Sequence, residues 1–148
     1  MEDDPFELNR FVSAQKNVYS GALREIQDGR KQSHWIWFIF PQIAGLGMSE
    51  TARFYAIGSR AEAKAYLDHP ILGRRIVECA EAALQHSDRS ALEILGRPDN
   101  LKLRSSATLF ASVNGSHIAF QRVLDHFFDG QPDDRTLELL RTTTDRAE

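Results

Sequence analysis

The sequence predicts an all-α fold, and three observations support that prediction. Apolar residues recur at steps of three and four through most of the chain, cap and stop residues punctuate those runs, and no two segments read as strands that could pair. At 148 residues the chain is one domain's worth, long enough to bury a core without disulfides or metal. The expected architecture is a compact single-domain multi-helix array over residues 1–148 with a short buried aromatic helix.

The first helix is expected from Leu8, Phe11, Val12, Val18, Tyr19, Ala22, Leu23 and Ile26, which share one face, with Asp4 as cap, Pro5 in the first turn and Gly29 as stop. His34 to Phe40 is a dense run of aromatics and isoleucines. A lone strand there would leave backbone donors unmet, so the stretch reads as a short buried helix capped by Ser33 and stopped at Pro41. The loop from Gly45 to Glu50 leads into a further helix. Ser59-Arg60-Ala61-Glu62 has the form of a capping box for a helix reaching about Asp68. His69-Pro70 breaks the register and opens the next helix through Ile71, Leu72, Ile76, Val77, Ala80 and Leu84.

Asp88 or Ser90 starts a brief helical turn ending at Gly96, and Asp99 caps a helix carrying Leu101, Leu103, Leu109 and Phe110, closed by Asn114-Gly115. Ile118, Phe120, Val123, Leu124, Phe127 and Phe128 mark a helix stopped at Gly130. Thr136 to Leu140 forms the last one, with fraying expected from Thr142 to Glu148.

Composition narrows the function classes. An apolar share of 42% with 26% charged residues belongs to an ordinary globule, not to a disordered tail. A net charge of −3 with both signs mixed lacks the positive field that holds phosphate backbones, so nucleic acid is not an expected partner. The single cysteine, Cys79, excludes an internal disulfide and suits a reducing compartment; among Val77, Ala80 and Ala83 it reads as a buried thiol. No long apolar run follows the acidic start Met1-Glu2-Asp3-Asp4, so neither signal peptide nor membrane span is expected, and the expected location is cytoplasmic. The histidines lack the spacing of a ligand pair and have no cysteine company, which argues against a metal; no cofactor is expected. A Gly-x-Ser-x-Gly elbow for a serine nucleophile is also missing.

Three blocks stand out: Ser33-His34-Trp35-x-Trp37-Phe38-Ile39-Phe40-Pro41-Gln42 followed by Gly45-Leu46-Gly47; His69-Pro70-x-Leu72-Gly73-x-Arg75; and Asp99-x-x-Lys102-Leu103-x-Ser105-Ser106-x-Thr108-Leu109-Phe110. In that order they resemble the signature of a bacterial family known as domain of unknown function 1810, sometimes labelled calpastatin-like. The chain departs at Ile36 and Ala107, where relatives often carry methionine, and keeps an apolar residue at both. The resemblance implies an all-helical fold and no known activity. Calpastatin-type inhibitors work as extended disordered segments, which this apolar-rich chain does not resemble.

Within those blocks, several residue types could carry chemistry. Arg30, Lys31 and His34 gather positive charge beside the expected start of the aromatic helix, where free backbone donors favour anions. Histidine is the residue type whose unperturbed pKa lies near neutrality, which makes His34 the candidate acid or base. Trp35 and Trp37 project to different sides of a helix, so one belongs to the core and Trp37 could stack on a flat ligand. Gln42 with the low-bulk loop Gly45-Leu46-Gly47 allows close approach, although Glu50 occupies the third position of a dinucleotide fingerprint and no strand-helix-strand unit surrounds it. Asp99, Lys102 and Ser106 fall on one line of a helix, with Asp99 as a candidate base and Lys102 as an anion clamp.

The function these residues suggest is a cleft where the aromatic helix, the Gly45 loop, the His69-Pro70 junction and the Asp99 helix meet. It would bind a small anionic metabolite, nucleotide-like or ADP-ribose-like, with hydrolysis by a His34 or Asp99 base as the form catalysis would take. The alternative is a non-enzymatic protein-interaction or scaffold module whose blocks are core residues and caps.

Overall fold

The backbone of residues 3–147 and the side chains of residues 3–142 are described in the computed structural model. Ten helices follow one another among them: α1 Asn9–Gln15, α2 Tyr19–Gln27, α3 Ile36–Ile39, α4 Glu50–Phe54, α5 Arg60–Asp68, α6 Leu72–Leu84, α7 Ala91–Leu95, α8 Asp99–Ala111, α9 Ala119–Phe128 and α10 Asp134–Ala147. Among the described residues there is no strand, only an isolated parallel bridge between Ile43 and Ile57. No helix among the described residues is long and apolar enough to cross a membrane.

Helix α8 is the centre of the array. Leu103 and every residue from Ser105 to Phe110 are buried, as expected of a helix enclosed on several sides, and it packs against α5, α7, α9 and α10. A second tier is built on α6, whose apolar face meets α2, α3, α5 and α9. Four aromatic rings run through the core from α1 to α9. Phe11 meets Tyr66 edge-on at 5.1 Å, Tyr66 meets Phe110 at 5.3 Å, and Phe110 meets Phe120 at 5.5 Å.

The expected first helix is two. Asn17 takes a positive φ of 66°, which asparagine tolerates better than most residues, and the chain turns between α1 and α2. Periodicity hid the break because Phe11 on α1 and Ala22 and Ile26 on α2 all face the same core. Asp4 does cap this region, accepting from Leu8 N at 2.8 Å and Asn9 N at 3.0 Å. Ser59 caps α5 through Glu62 N at 3.1 Å, but the expected reciprocal bond is replaced. The Glu62 carboxylate takes Gly58 N and, 2.8 Å away, the guanidinium of Arg10. Arg10 also donates to the carbonyls of Phe6, Glu7, Phe54 and Ala56, tying the N-terminal turn to α4 and α5.

The α5–α6 corner explains the second signature block. His69 Nδ1 accepts from Ile71 N at 3.1 Å and Leu72 N at 3.2 Å, so an imidazole caps α6. At Gly73 a Cβ would stand 2.0 Å from the Leu67 carbonyl oxygen; only glycine lets the two backbones approach so closely. Ser90 and Glu93 form a complete capping box on α7, which Gly96 ends as expected. His117 repeats the imidazole cap at α9, with Nδ1 accepting from Ala119 N. Helix α10 runs through Ala147, past the Thr142 at which fraying was expected; Glu148 lies outside the described residues.

Candidate functional site

The aromatic segment is held first from α2. Glu25 Oε1 accepts from Gln32 N at 2.8 Å, Ser33 N at 3.0 Å and Trp35 Nε1 at 2.9 Å, while Oε2 accepts from the Ser33 hydroxyl at 2.7 Å. Burial pushes this carboxyl up, but the bonds from Gln32, Ser33 and Trp35 outweigh it and hold the group down at about 2. Trp35 is fully buried, with Ile36, Ile39 and Phe40 around it, so its indole N–H needs the partner that Glu25 supplies. Ser33 is therefore no helix cap. It belongs to the Glu25 network, and α3 is a single turn that starts only after Trp35. Arg30 and Lys31 consequently lie too far back to sit at a helix N-terminus, and of the expected charges His34 alone directly precedes the Trp35 cap.

Lys31 turns instead toward α8. Its ammonium lies 2.9 Å from Asp99 Oδ2 and 5.2 Å from the centre of the Trp35 ring, and its side chain is 9% exposed. Its backbone N–H bonds to the Ile94 carbonyl at 2.7 Å, fixing the loop against α7. Asp99 is the first residue of α8 and not its cap, a position held by Pro98. A carboxylate in the first turn suits the helix dipole, and both its oxygens are committed to lysines. Lys102, one turn along, stands 3.5 Å from Asp99 Oδ1 with its side chain 25% exposed, and lies 5.1 Å from the centre of the half-buried Trp37 ring. Two ammonium groups thus share one carboxylate and each covers an indole. The cluster keeps one positive charge in excess, presented at Lys102 beside an aromatic surface.

Of the residues singled out in the sequence, Lys31, Trp37, Asp99 and Lys102 come together by direct contact. Ser106 follows Lys102 by one turn on the same line of α8 and is buried, its hydroxyl without a hydrogen-bond partner. His34 is exposed and makes no side-chain hydrogen bond among the described residues. The Gln42 carbonyl accepts from Ile57 N at 2.8 Å in the isolated bridge. Gly45, at φ +106°, packs toward Leu139 of α10, and Gly47 toward Ala52, where a Cβ would come within 2.4 Å. These glycines and His69 serve turns, close packing and capping. Among the described residues no group of three or more histidine, cysteine, aspartate or glutamate side chains could hold a metal.

The family model described as Protein of unknown function (DUF1810) matches residues 5–140. The chain belongs to this family. Its structure also matches the crystal structure of a conserved hypothetical protein, Rv1873, from Mycobacterium tuberculosis, with a TM-score of 0.91 and 48% sequence identity over 93% of this chain and 99% of the other. No curated protein matches. The DUF1810 signature now has a physical reading. Ser33 and Trp35 hold Glu25, His69 and Gly73 make the α5–α6 corner, Arg75 donates to Gln15 Oε1 at 3.1 Å, and Asp99 with Lys102 builds the charged cluster.

Sequence reasoning missed Glu25 and Arg10, because a polar residue on a helix face carries no periodic signal and both act on partners outside their own helix. It also missed a groove of about 760 Å³ between α6 and α9, lined by Glu81, Leu84, Gln85, Arg122, Asp125 and His126. All of these except Leu84 are exposed, and their mixed charges face solvent. Cys79 is buried as expected, and burial pushes its thiol up to about 12, so it is no nucleophile at neutral pH.

Proposed function

We propose that the protein binds a small anionic ligand carrying a flat ring, of the nucleotide or ADP-ribose-like kind, at the Lys102–Trp37 face of the cluster. One observation carries this reading: Asp99 lies closer to Lys31 than to Lys102, so the more exposed of the two ammonium groups is the less neutralised, and it stands over an indole. An anion gains from that charge, and an aromatic group gains from the adjoining ring surface. Binding, not hydrolysis, is the part of the reading this geometry favours. Asp99, the candidate base, already serves two lysines as counter-ion, and His34 shares no hydrogen bond with it.

Thermal-shift titration with AMP and with inorganic phosphate tests the reading, since a ligand selective for the native state raises its melting temperature. Lys102→Ala is expected to weaken both about tenfold, roughly 1.4 kcal/mol, and Trp37→Ala to weaken AMP but not phosphate. If AMP binds Lys102→Ala as it binds wild type, the cluster is not the site. The protein-interaction alternative has an observation of its own in Met48, just before α4, and Phe54, the last residue of α4, 70% and 59% exposed. Two side chains make a smaller apolar surface than partner-binding patches of several hundred Å².

A further inference from the structure

The sequence holds four asparagines, and the residue after each decides its chemistry. An asparagine side chain is attacked at its carbonyl carbon when the next backbone nitrogen is free to reach it. A hydrogen bond from that N–H, or a bulky following side chain, holds the nitrogen back. Both restraints act at three positions. Arg10 N, after Asn9, donates to the Glu7 carbonyl at 3.1 Å; Val18 N, after Asn17, to Gln15 at 3.0 Å; and Leu101 N, after Asn100, to Pro98 at 3.0 Å. Asn114 differs. It is exposed and precedes Gly115, where a Cβ would meet nothing within 4 Å. Among the described residues neither the Gly115 N–H nor the Asn114 side-chain amide has a hydrogen-bond partner.

The turn accounts for the free nitrogen. Ser116 N donates to the Val113 carbonyl at 3.1 Å, so Asn114 and Gly115 are the central pair of a β-turn, and the φ of +77° at Gly115 is one that glycine adopts without strain. The two Asp-Gly steps, open to the same attack in an unfolded chain, are closed by the fold. Gly29 N donates to Ile26 O and Gly130 N to Leu124 O, each at 2.9 Å, in the way helix ends use their last carbonyls. We infer that the Asn114-Gly115 turn is a site of spontaneous modification whose co-reactant is water. The Gly115 nitrogen gives up its proton and bonds to the Asn114 side-chain carbonyl carbon. The bond from that carbon to the amide nitrogen breaks, and the nitrogen leaves with the proton as ammonia. Water then opens the succinimide ring at either carbonyl, giving aspartate or isoaspartate, with nothing oxidised or reduced. The product carries a new carboxylate between α8 and α9, just past the negative end of the α8 dipole, and isoaspartate lengthens the backbone of the turn by one carbon.

Peptide mapping by mass spectrometry, with isoaspartate separated by chromatography, tests this on full-length protein kept folded at mildly acidic and mildly alkaline pH and, in parallel, in concentrated urea. In the folded protein the peptide holding Asn114 should gain one mass unit, severalfold faster at alkaline pH because the attacking nitrogen must lose its proton. Isoaspartate should form there and not at Asp28 or Asp129, whereas urea should release those two steps as well. Asn114→Gln, whose longer side chain closes its ring far more slowly, should remove the gain and keep the fold. An Asn114 that retains its mass in the folded protein, or a folded protein in which Asn9, Asn17 or Asn100 reacts first, overturns the inference. Isoaspartate appearing at Asp28 or Asp129 equally with and without urea overturns the protection assigned to their hydrogen bonds.

Discussion

Glu25 and Asp99 approach the same stretch, Lys31 to Trp37, from two different helices, and each carboxylate has both oxygens occupied. Their partners differ in kind. Glu25 is surrounded by neutral donors, two backbone N–H groups, a hydroxyl and an indole N–H, at 2.7 to 3.0 Å. Asp99 faces two ammonium groups at unequal distances of 2.9 and 3.5 Å. The first arrangement uses a charge to order a loop and to satisfy a buried tryptophan. The second leaves a cation only partly matched beside an aromatic ring. Identical chemistry in the carboxylate therefore yields a fold-holding knot on one side and a partly matched cation over an indole on the other, and the partners make the difference.

Truncating the residue that Glu25 serves should have the largest effect. Trp35→Ala removes a fully buried indole and is expected to cost about 3–5 kcal/mol in denaturant unfolding, as large core truncations do. Glu25→Ala should follow at about 2–3 kcal/mol, because charge-assisted bonds are lost and the Trp35 N–H is left without its acceptor. A loss below about 0.5 kcal/mol would erase the distinction between the two carboxylates. Asp99→Asn should cost about 2 kcal/mol, mainly by leaving the nearly buried Lys31 ammonium without a counter-ion.

Acid titration sharpens the comparison. The Glu25 carboxyl is lowered from its ordinary 4.5 to about 2 in the folded protein, so the native state prefers its charged form. Its contribution is complete above about pH 4.5 and disappears as pH falls through about 2. After allowance for solvent access to the group, wild type should lose roughly 1–2 kcal/mol more than Glu25→Gln over that window. Equal pH profiles for the two proteins would contradict the network. Lys102→Ala should have the smallest effect on stability, about 1 kcal/mol or less, because its ion pair is long and its side chain is partly solvated.

The legible parts of this fold were local. Ser59, Ser90, Gly96 and Gly130 mark helix ends by chemistry acting within a few residues, Ser59 thereby locating α5, and the apolar period located α6, α8 and α9. Asn17 escaped notice because the period stays in phase across its turn. Ser33 and Asp99 look like caps in a linear reading, since both are small polar residues ahead of apolar runs. Their real partners, Glu25 eight residues back and Lys31 from a distant loop, exist only once the chain is folded. Of the candidate site, Lys31, Trp37, Asp99 and Lys102 were legible as residue types, whereas their shared ion pairing was not. His69 shows the same limit in reverse: within a signature block it looked available for ligand, and its ring nitrogen is engaged by the start of α6.

The two tryptophans are the only ones in the sequence, and each lies beneath a lysine ammonium on either side of Asp99. The protein thereby carries two fluorophores in unlike surroundings. Trp35, sealed in the core with its N–H on a carboxylate, should emit toward the blue and resist iodide. Trp37, half open to water, should emit further to the red and be quenched. Moving the Lys102 ammonium off the Trp37 ring changes the electric field on one indole and leaves the other as an internal reference. Occupancy of the cluster can thus be read as a change in emission colour, with no label attached.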